Sequence, residues 1–177
     1  MTTQLVVTLV LLTVVTVYLA IAWRTWARIR GTRVVTCPDT KRSVAVKVDA
    51  GHAITAAMWE KPDLRLTSCT RWPEGHDCDQ WCVKQIEHTP EATRPKAIAA
   101  HFFDGLHCSI CRRRIEPPGG VTLQPGFMDP ITRKVQTWNE VPPEDLPDAV
   151  VTRYALCSNC TLAESFRQRF PDKVVDR

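Results

Sequence analysis

No charged side chain occurs before Arg24, and residues 1–33 hold no acid. The first absence leaves residues 5–23, "LVVTLVLLTVVTVYLAIAW", as an unbroken apolar run. Nineteen residues at about 1.5 Å each cover about 28 Å, close to the hydrocarbon thickness of a bilayer. Thr8, Thr13 and Thr16 do not spoil such a span, because a threonine hydroxyl can bond back to a helix carbonyl. Trp23 and Trp26 sit where interfacial aromatics belong. A basic stretch ahead of the run is also missing. "MTTQ" carries no Lys or Arg, which argues against a cleaved secretory signal, although Ala20-Ile-Ala22 fits a small-x-small cleavage pattern. No cysteine follows closely enough for a lipoprotein. The basic residues come afterwards, as Arg24, Arg28, Arg30 and Arg33. Their position predicts an uncleaved single-pass anchor whose C-terminal side is cytoplasmic. Residues 24–36 then form a basic juxtamembrane segment suited to anionic lipid.

Those four arginines account for the whole formal charge of +4. Residues 34–177 hold 19 basic and 19 acidic side chains and are formally neutral. The basic balance therefore reports a stripe beside the anchor rather than a nucleic-acid-binding face. "RRR" at 112–114 reads as a solvated patch, or one facing lipid or an acidic partner.

Other absences narrow the chemistry. A c-type haem needs CxxCH, but Arg112 follows Cys111 and Thr161 follows Cys160. His107 stands on the wrong side of its pair. No βαβ pattern frames either CxxC, which argues against a thioredoxin-like centre. No nucleophile–base set stands out. His52, His76, His88, His101 and His107 read as surface, core or supporting residues, so the chain reads as non-enzymatic. There is no tandem repeat and no low-complexity tract.

Eight cysteines are present instead. They divide into two sets of four. Cys108-x-x-Cys111 and Cys157-x-x-Cys160 are two knuckles that can point four thiolates at one ion, with 45 residues between the pairs. Cys37, Cys69, Cys78 and Cys82 form a second candidate set, with His52 or His76 as substitutes. "CPDT" carries only half of a CPxC knuckle, since Thr40 stands where a second cysteine would be. Zinc is the expected metal. Iron or an iron–sulfur cluster on the same cysteines is the alternative, and it would make the chain an electron-transfer protein. Buried free thiols are the other reading of the second set. Disulfides would replace metal if the domain were exported. The arginines beside Cys108 and Cys111 would favour thiolate and so redox sensing. Two small modules, residues 37–90 and 91–177, each gain from a metal staple.

Alternation predicts strands in "RVVTC", "SVAVKV" and "LRLTSC". Asp49 caps a helix expected to run to Glu60 and stop at Pro62. "CDQWCVKQIEH" reads as a helix with Cys78 and Cys82 on one face. "TPEATRP" is a break. "KAIAAHFFDG" is a short helix closed by Gly105. "EPPGGVTLQPGFMDP" suits a hairpin, "KVQTW" a strand and "NEVPPEDLPDA" an acidic, proline-rich loop. "TLAESFRQRF" puts Leu162, Phe166 and Phe170 on one helix face, ended by Pro171.

"SCTRWPEGHDCDQWCVKQIE" and "CSNCTLAESFRQRFPDKVVDR" resemble parts of a group of bacterial membrane-anchored cysteine-rich proteins. The resemblance covers most of residues 37–177 and implies no activity. It implies a histidine after the last pair, where Thr161 stands here, leaving Cys157 and Cys160 as the ligands at that corner. The two pairs are also similar to zinc-ribbon and rubredoxin-like sites. The expected architecture is α+β: a transmembrane helix, then a small zinc-ribbon-like domain whose metal is structural. Its expected role is protein interaction, as an accessory subunit of a membrane complex.

Overall fold

The computed structural model describes residues 2–56, 64–74, 77–119 and 123–173. It is a mixed helix-and-sheet structure behind a long N-terminal helix. That helix, α1 (Thr2–Ile29), is about 42 Å long. By length and composition it can cross a bilayer, a test that a signal sequence or a soluble core helix also passes. None of its most apolar stretch is buried. Thr8, Thr13 and Thr16 donate to the carbonyls of Gln4, Val10 and Leu12 at 2.7–2.8 Å, so their hydroxyls leave no unmet polarity on the helix. Near its end Trp23 and Trp26 stack at 5.3 Å, and the Arg30 guanidinium lies 4.2 Å from the Trp26 ring centre.

A three-stranded antiparallel sheet follows, ordered β1 (Thr32–Thr36), β2 (Ser43–Val48), β3 (Leu66–Cys69). Val44, Val46 and Val48 point into one buried cluster with Ile29, Val35, Leu66 and Ile86, as their alternation requires. The short helix α2 (Ala50–Ala56) leaves β2 with Asp49 accepting the His52 amide at 3.0 Å. Its expected continuation to Glu60 and stop at Pro62 lie outside the described residues, as does His76.

Arg33 corrects the sequence reading. The run of arginines puts it in a lipid-facing basic stripe, yet it is fully buried. Its guanidinium donates to the carbonyls of Arg28 and Pro90. Arg94 reaches the same helix end, donating to Ala27 at 2.9 Å and Arg28 at 3.2 Å. Two guanidiniums thus meet the last carbonyls of α1, where the helix dipole is negative. Burial, then the charge of Arg94, lowers the Arg33 pKa.

A second correction concerns Cys78 and Cys82. They do not share a helix face, because α3 spans only Val83–His88. Gln80, in a left-handed conformation with φ 52°, separates them. Its side chain accepts the Leu66 amide at 3.0 Å and so ties this segment to β3.

The second half of the chain builds its own sheet, ordered β5 (Val135–Thr137), β4 (Gly126–Met128), β6 (Tyr154–Leu156), all antiparallel. Helix α4 (Pro95–Phe103) begins on its proline and is followed by Gly105 at φ 77°. Phe102 and Phe103 of this helix pack with Phe127 of β4, ring centres 5.1–5.6 Å apart. The acidic, proline-rich segment is not a loop throughout. Residues Pro143–Asp145 form a 3-10 turn, and α5 (Leu146–Thr152) follows. Pro143 and Pro147 fall in first turns, where a missing amide costs nothing, and Glu144, Asp145 and Asp148 favour the positive helix end. The 3-10 turn packs against β1 and β2, joining the two halves.

Three hairpin turns share one form. At 37–42, 108–113 and 129–134 the first residue's amide donates to the sixth residue's carbonyl at 2.8–2.9 Å. The fifth residue's amide returns to the first carbonyl at 2.9–3.0 Å, and that fifth residue (Lys41, Arg112 or Arg133) has φ near 60°. In each turn the first side chain accepts amides from the third and fourth residues. Asp129 does so from Ile131 at 2.9 Å and Thr132 at 2.8 Å. Cys37 and Cys108 do the same with sulfur.

Gly126 shows how closely β4 meets its neighbours. A Cβ there would lie 2.5 Å from the Gln136 carbonyl and 2.7 Å from a Thr161 methyl. Gly126→Ala is therefore expected to cost about 1–3 kcal/mol through overpacking, read as a lower thermal midpoint of the metal-loaded chain.

Candidate metal centre

Helix α6 (Ser158–Arg169) begins immediately after β6, with Cys157 as its extended first-flank residue. Cys160 falls in its first turn. The 108–113 turn lies alongside, held by the Ser109 amide donating to Ala155 of β6 at 3.0 Å. A hairpin turn and a helix start are thereby pressed together on one strand end. This brings Cys108, Cys111, Cys157 and Cys160 into one group, their sulfurs all within 4.8 Å of one another. Cys108 is fully buried, Cys157 and Cys160 are half-buried, and Cys111 is exposed.

The spacing fits a single ion. Zinc–thiolate bonds of about 2.3 Å at tetrahedral angles put sulfurs about 3.8 Å apart. Cys111 Sγ and Cys157 Sγ are 3.7 Å apart, whereas a disulfide needs about 2.05 Å. All eight cysteines are free. A cluster must place several ions between its thiolates, which needs more room than sulfurs packed within 4.8 Å leave. The group could hold one metal ion, and its donor set suits zinc and mononuclear iron alike.

The electrostatics prepare it. Burial pushes the Cys108 thiol up, but amides of Cys111, Cys157 and Ile110 donate to its sulfur, and the balance brings it down to about 6. Burial pushes Cys160 up, and thiol contacts from Cys157, Cys111 and Cys108 push it the same way. Burial also raises Cys157, against the opposing Cys160 amide. One thiolate is thus stabilised without metal, while Cys157 and Cys160 keep their protons near neutrality. A divalent ion has to displace those protons. Affinity is therefore expected to rise with pH, and ion binding near pH 7.5 to release about two protons or more. Calorimetry in buffers of different ionisation enthalpy measures that release.

The other predicted site residues lie elsewhere. Cys37, Cys69, Cys78 and Cys82 line a separate small cavity of about 50 Å³ against the first sheet. They are not as tightly grouped as the first four. Burial, then the charges of Cys69, Cys78 and Cys37, pushes Cys82 up to about 11. His52 lies half-buried in α2, and His88, His101 and His107 are exposed. Arg112, Arg113 and Arg114 are exposed, with Arg114 3.5 Å from Asp104. Thr161, where the resemblance implies a histidine, is buried and donates to the Cys157 carbonyl at 3.0 Å. It packs against Gly126 of β4.

Sequence reasoning did not anticipate one neighbouring surface. Leu162 and Phe166 share a face of α6 as expected, whereas Phe170 lies just past its end with a non-helical backbone, and the three are 57%, 47% and 37% exposed. They do not close a core. With Leu123 and Val135 they line an open cleft of about 520 Å³. Comparison with family models, with curated proteins and with solved structures finds no match.

Proposed function

We propose that the chain is a membrane-anchored zinc protein whose metal is structural and whose globular part serves a protein partner. The observation that carries this reading is the group of four sulfurs within 4.8 Å, with Cys111 and Cys157 at a tetrahedral edge distance. Four thiolates complete a tetrahedron and leave no position for water or substrate, which favours a structural over a catalytic ion. The unburied apolar face of α1 supports insertion in a bilayer, and Arg24, Arg28 and Arg30 at its C-terminal end favour a cytoplasmic globular part. The exposed face of α6, on the helix that carries Cys157 and Cys160, is where an accessory subunit would meet its complex.

Metal analysis with a visible spectrum, on anaerobically purified full-length protein in detergent, tests the reading. The expected result is a colourless protein containing zinc that Cys111→Ser reduces. Thiolate-to-iron absorption in the visible would instead assign electron transfer. A reporter fused at the C-terminus tests the orientation: activity only on the outer side would remove the cytoplasmic assignment.

A further inference from the structure

The 37–42 turn is built like the 108–113 turn, down to the left-handed fifth residue and the paired amides on the first sulfur. A backbone that presents Cys108 to its partners presents Cys37 in the same way. Thr40 occupies the place of Cys111, and its hydroxyl also bonds the Cys37 sulfur. The turn therefore supplies one sulfur instead of two. Three others lie around the same small cavity, less tightly grouped than the first four. Cys69 ends β3, and Cys78 and Cys82 come from the segment that Gln80 ties to the same strand. All four line one small cavity, and Cys82 lies within electrostatic reach of the other three.

Scattered free thiols would pack singly, as small apolar residues do. Here four arrive from three segments of chain and line one cavity. A cation already attends them: Arg71 Nη1 lies 3.3 Å from Cys37 Sγ and 2.8 Å from Asp39 Oδ2. Four thiolates around a divalent ion leave a surplus of negative charge, which a guanidinium offsets. Regular structure does little to brace the described residues around them. Between Cys69 and Val83 the described residues form neither helix nor strand. Cys69 stands before these residues, and Cys78 and Cys82 stand towards their far end.

We propose that Cys37, Cys69, Cys78 and Cys82 form a second single-ion tetrathiolate site of zinc-type chemistry, with Arg71 as its charge-balancing neighbour. Binding draws the four sulfurs to tetrahedral edges of about 3.8 Å and displaces any thiol protons to solvent, with no change of oxidation state.

Titration of the full-length, reduced protein with Zn²⁺, and with Co²⁺ as a coloured substitute, tests the site. The expected endpoint is about two ions per chain, each Co²⁺ ion adding thiolate-to-metal absorption. Cys78→Ser is expected to remove one ion, Cys111→Ser the other, and the double variant both. One ion per chain, lost in Cys111→Ser and kept in Cys78→Ser, would overturn the second site and leave the first. One ion, lost in Cys78→Ser alone, would instead overturn the first centre. If Cys78→Ser does not fold, the wild-type endpoint decides, because saturation at one ion that Cys111→Ser abolishes leaves no second site.

Discussion

Stripping the ion from Cys108, Cys111, Cys157 and Cys160 is expected to unfold the second half of the chain, around Phe103, Phe127 and Leu156. A structural zinc contributes on the order of 10–16 kcal/mol in small metal-dependent modules. Whole domains are stable by about 5–15 kcal/mol, so the ion is comparable with the total. An ion held by these four sulfurs would act at one joint. The 108–113 turn is fixed to β6 by the Ser109 amide, and its hairpin carries an isolated pair at His107 and Arg114. Without an ion, the turn keeps only the Ser109 amide on β6, the Cys157 amide on the Cys108 sulfur and the packing of Cys108 to hold it against the start of α6. Cys108→Ser and Cys111→Ser separate two contributions. Both lose a ligand, but Cys108 is fully buried in the second core and Cys111 is exposed, so the first also exchanges a packed sulfur for a smaller, more polar hydroxyl. Both variants are expected to lose metal, and Cys108→Ser to be the less stable after chelation. Trp138, packed against the same core and donating to Gln124 at 2.8 Å, gives a local fluorescence signal. A chelated protein that keeps its Trp138 environment and its thermal midpoint would show that the ion is not the staple.

Arg33→Met is expected to cost roughly 3–5 kcal/mol, a large effect for one exchange of similar length. Each charge-assisted bond to a carbonyl contributes about 1.5–3 kcal/mol, and Arg33 makes two such contacts, to Arg28 and Pro90. Methionine fills space but leaves those carbonyls with fewer donors in a dry place. Arg94 still reaches Arg28, so that end is partly compensated, whereas the Pro90 carbonyl keeps only the Thr93 hydroxyl at 3.0 Å. Arg33→Lys is expected to recover only part of the loss, because one ammonium cannot span both carbonyls with a planar fork. Denaturant unfolding of the full chain in micelles reads the difference. A loss below about 1 kcal/mol would mean that water reaches these carbonyls.

Arg33 also marks a limit of the sequence. Its charge reads as part of a basic stripe, and nothing in a linear pattern says that β1 turns it inward. Where periodicity decides, the reading holds: the valines at 44, 46 and 48 fix the inner face of β2, and Asp49 caps α2. Cys78 and Cys82 mislead because i and i+4 spacing assumes a helix, while Gln80 takes a left-handed conformation. The acidic, proline-rich segment misleads in the opposite direction, because its prolines fall in first turns, where helices tolerate them. Two CxxC pairs at a distance identify a shared site from spacing alone, and the structure groups them. The likeness between the turns at Cys37 and Cys108 is not legible, because it lies in the backbone. Thr40 hides it, and the third copy at Asp129 carries no cysteine.

The grip of Arg33 and Arg94 on the end of α1 has a mechanical side. A chain that leaves a helix through a slack linker lets the following domain swivel freely. Gly31 could serve as such a swivel, at φ 95° and with open space around it. The two arginines clamp the helix across that point, to the strand beyond and to the segment before α4. Ile29 seats the joint further in the first core. The helix and the first sheet therefore act as a lever and its mounting. A tilt of the rod becomes a swing of everything mounted on it, and a pull on the globular part returns as torque along some 42 Å of helix.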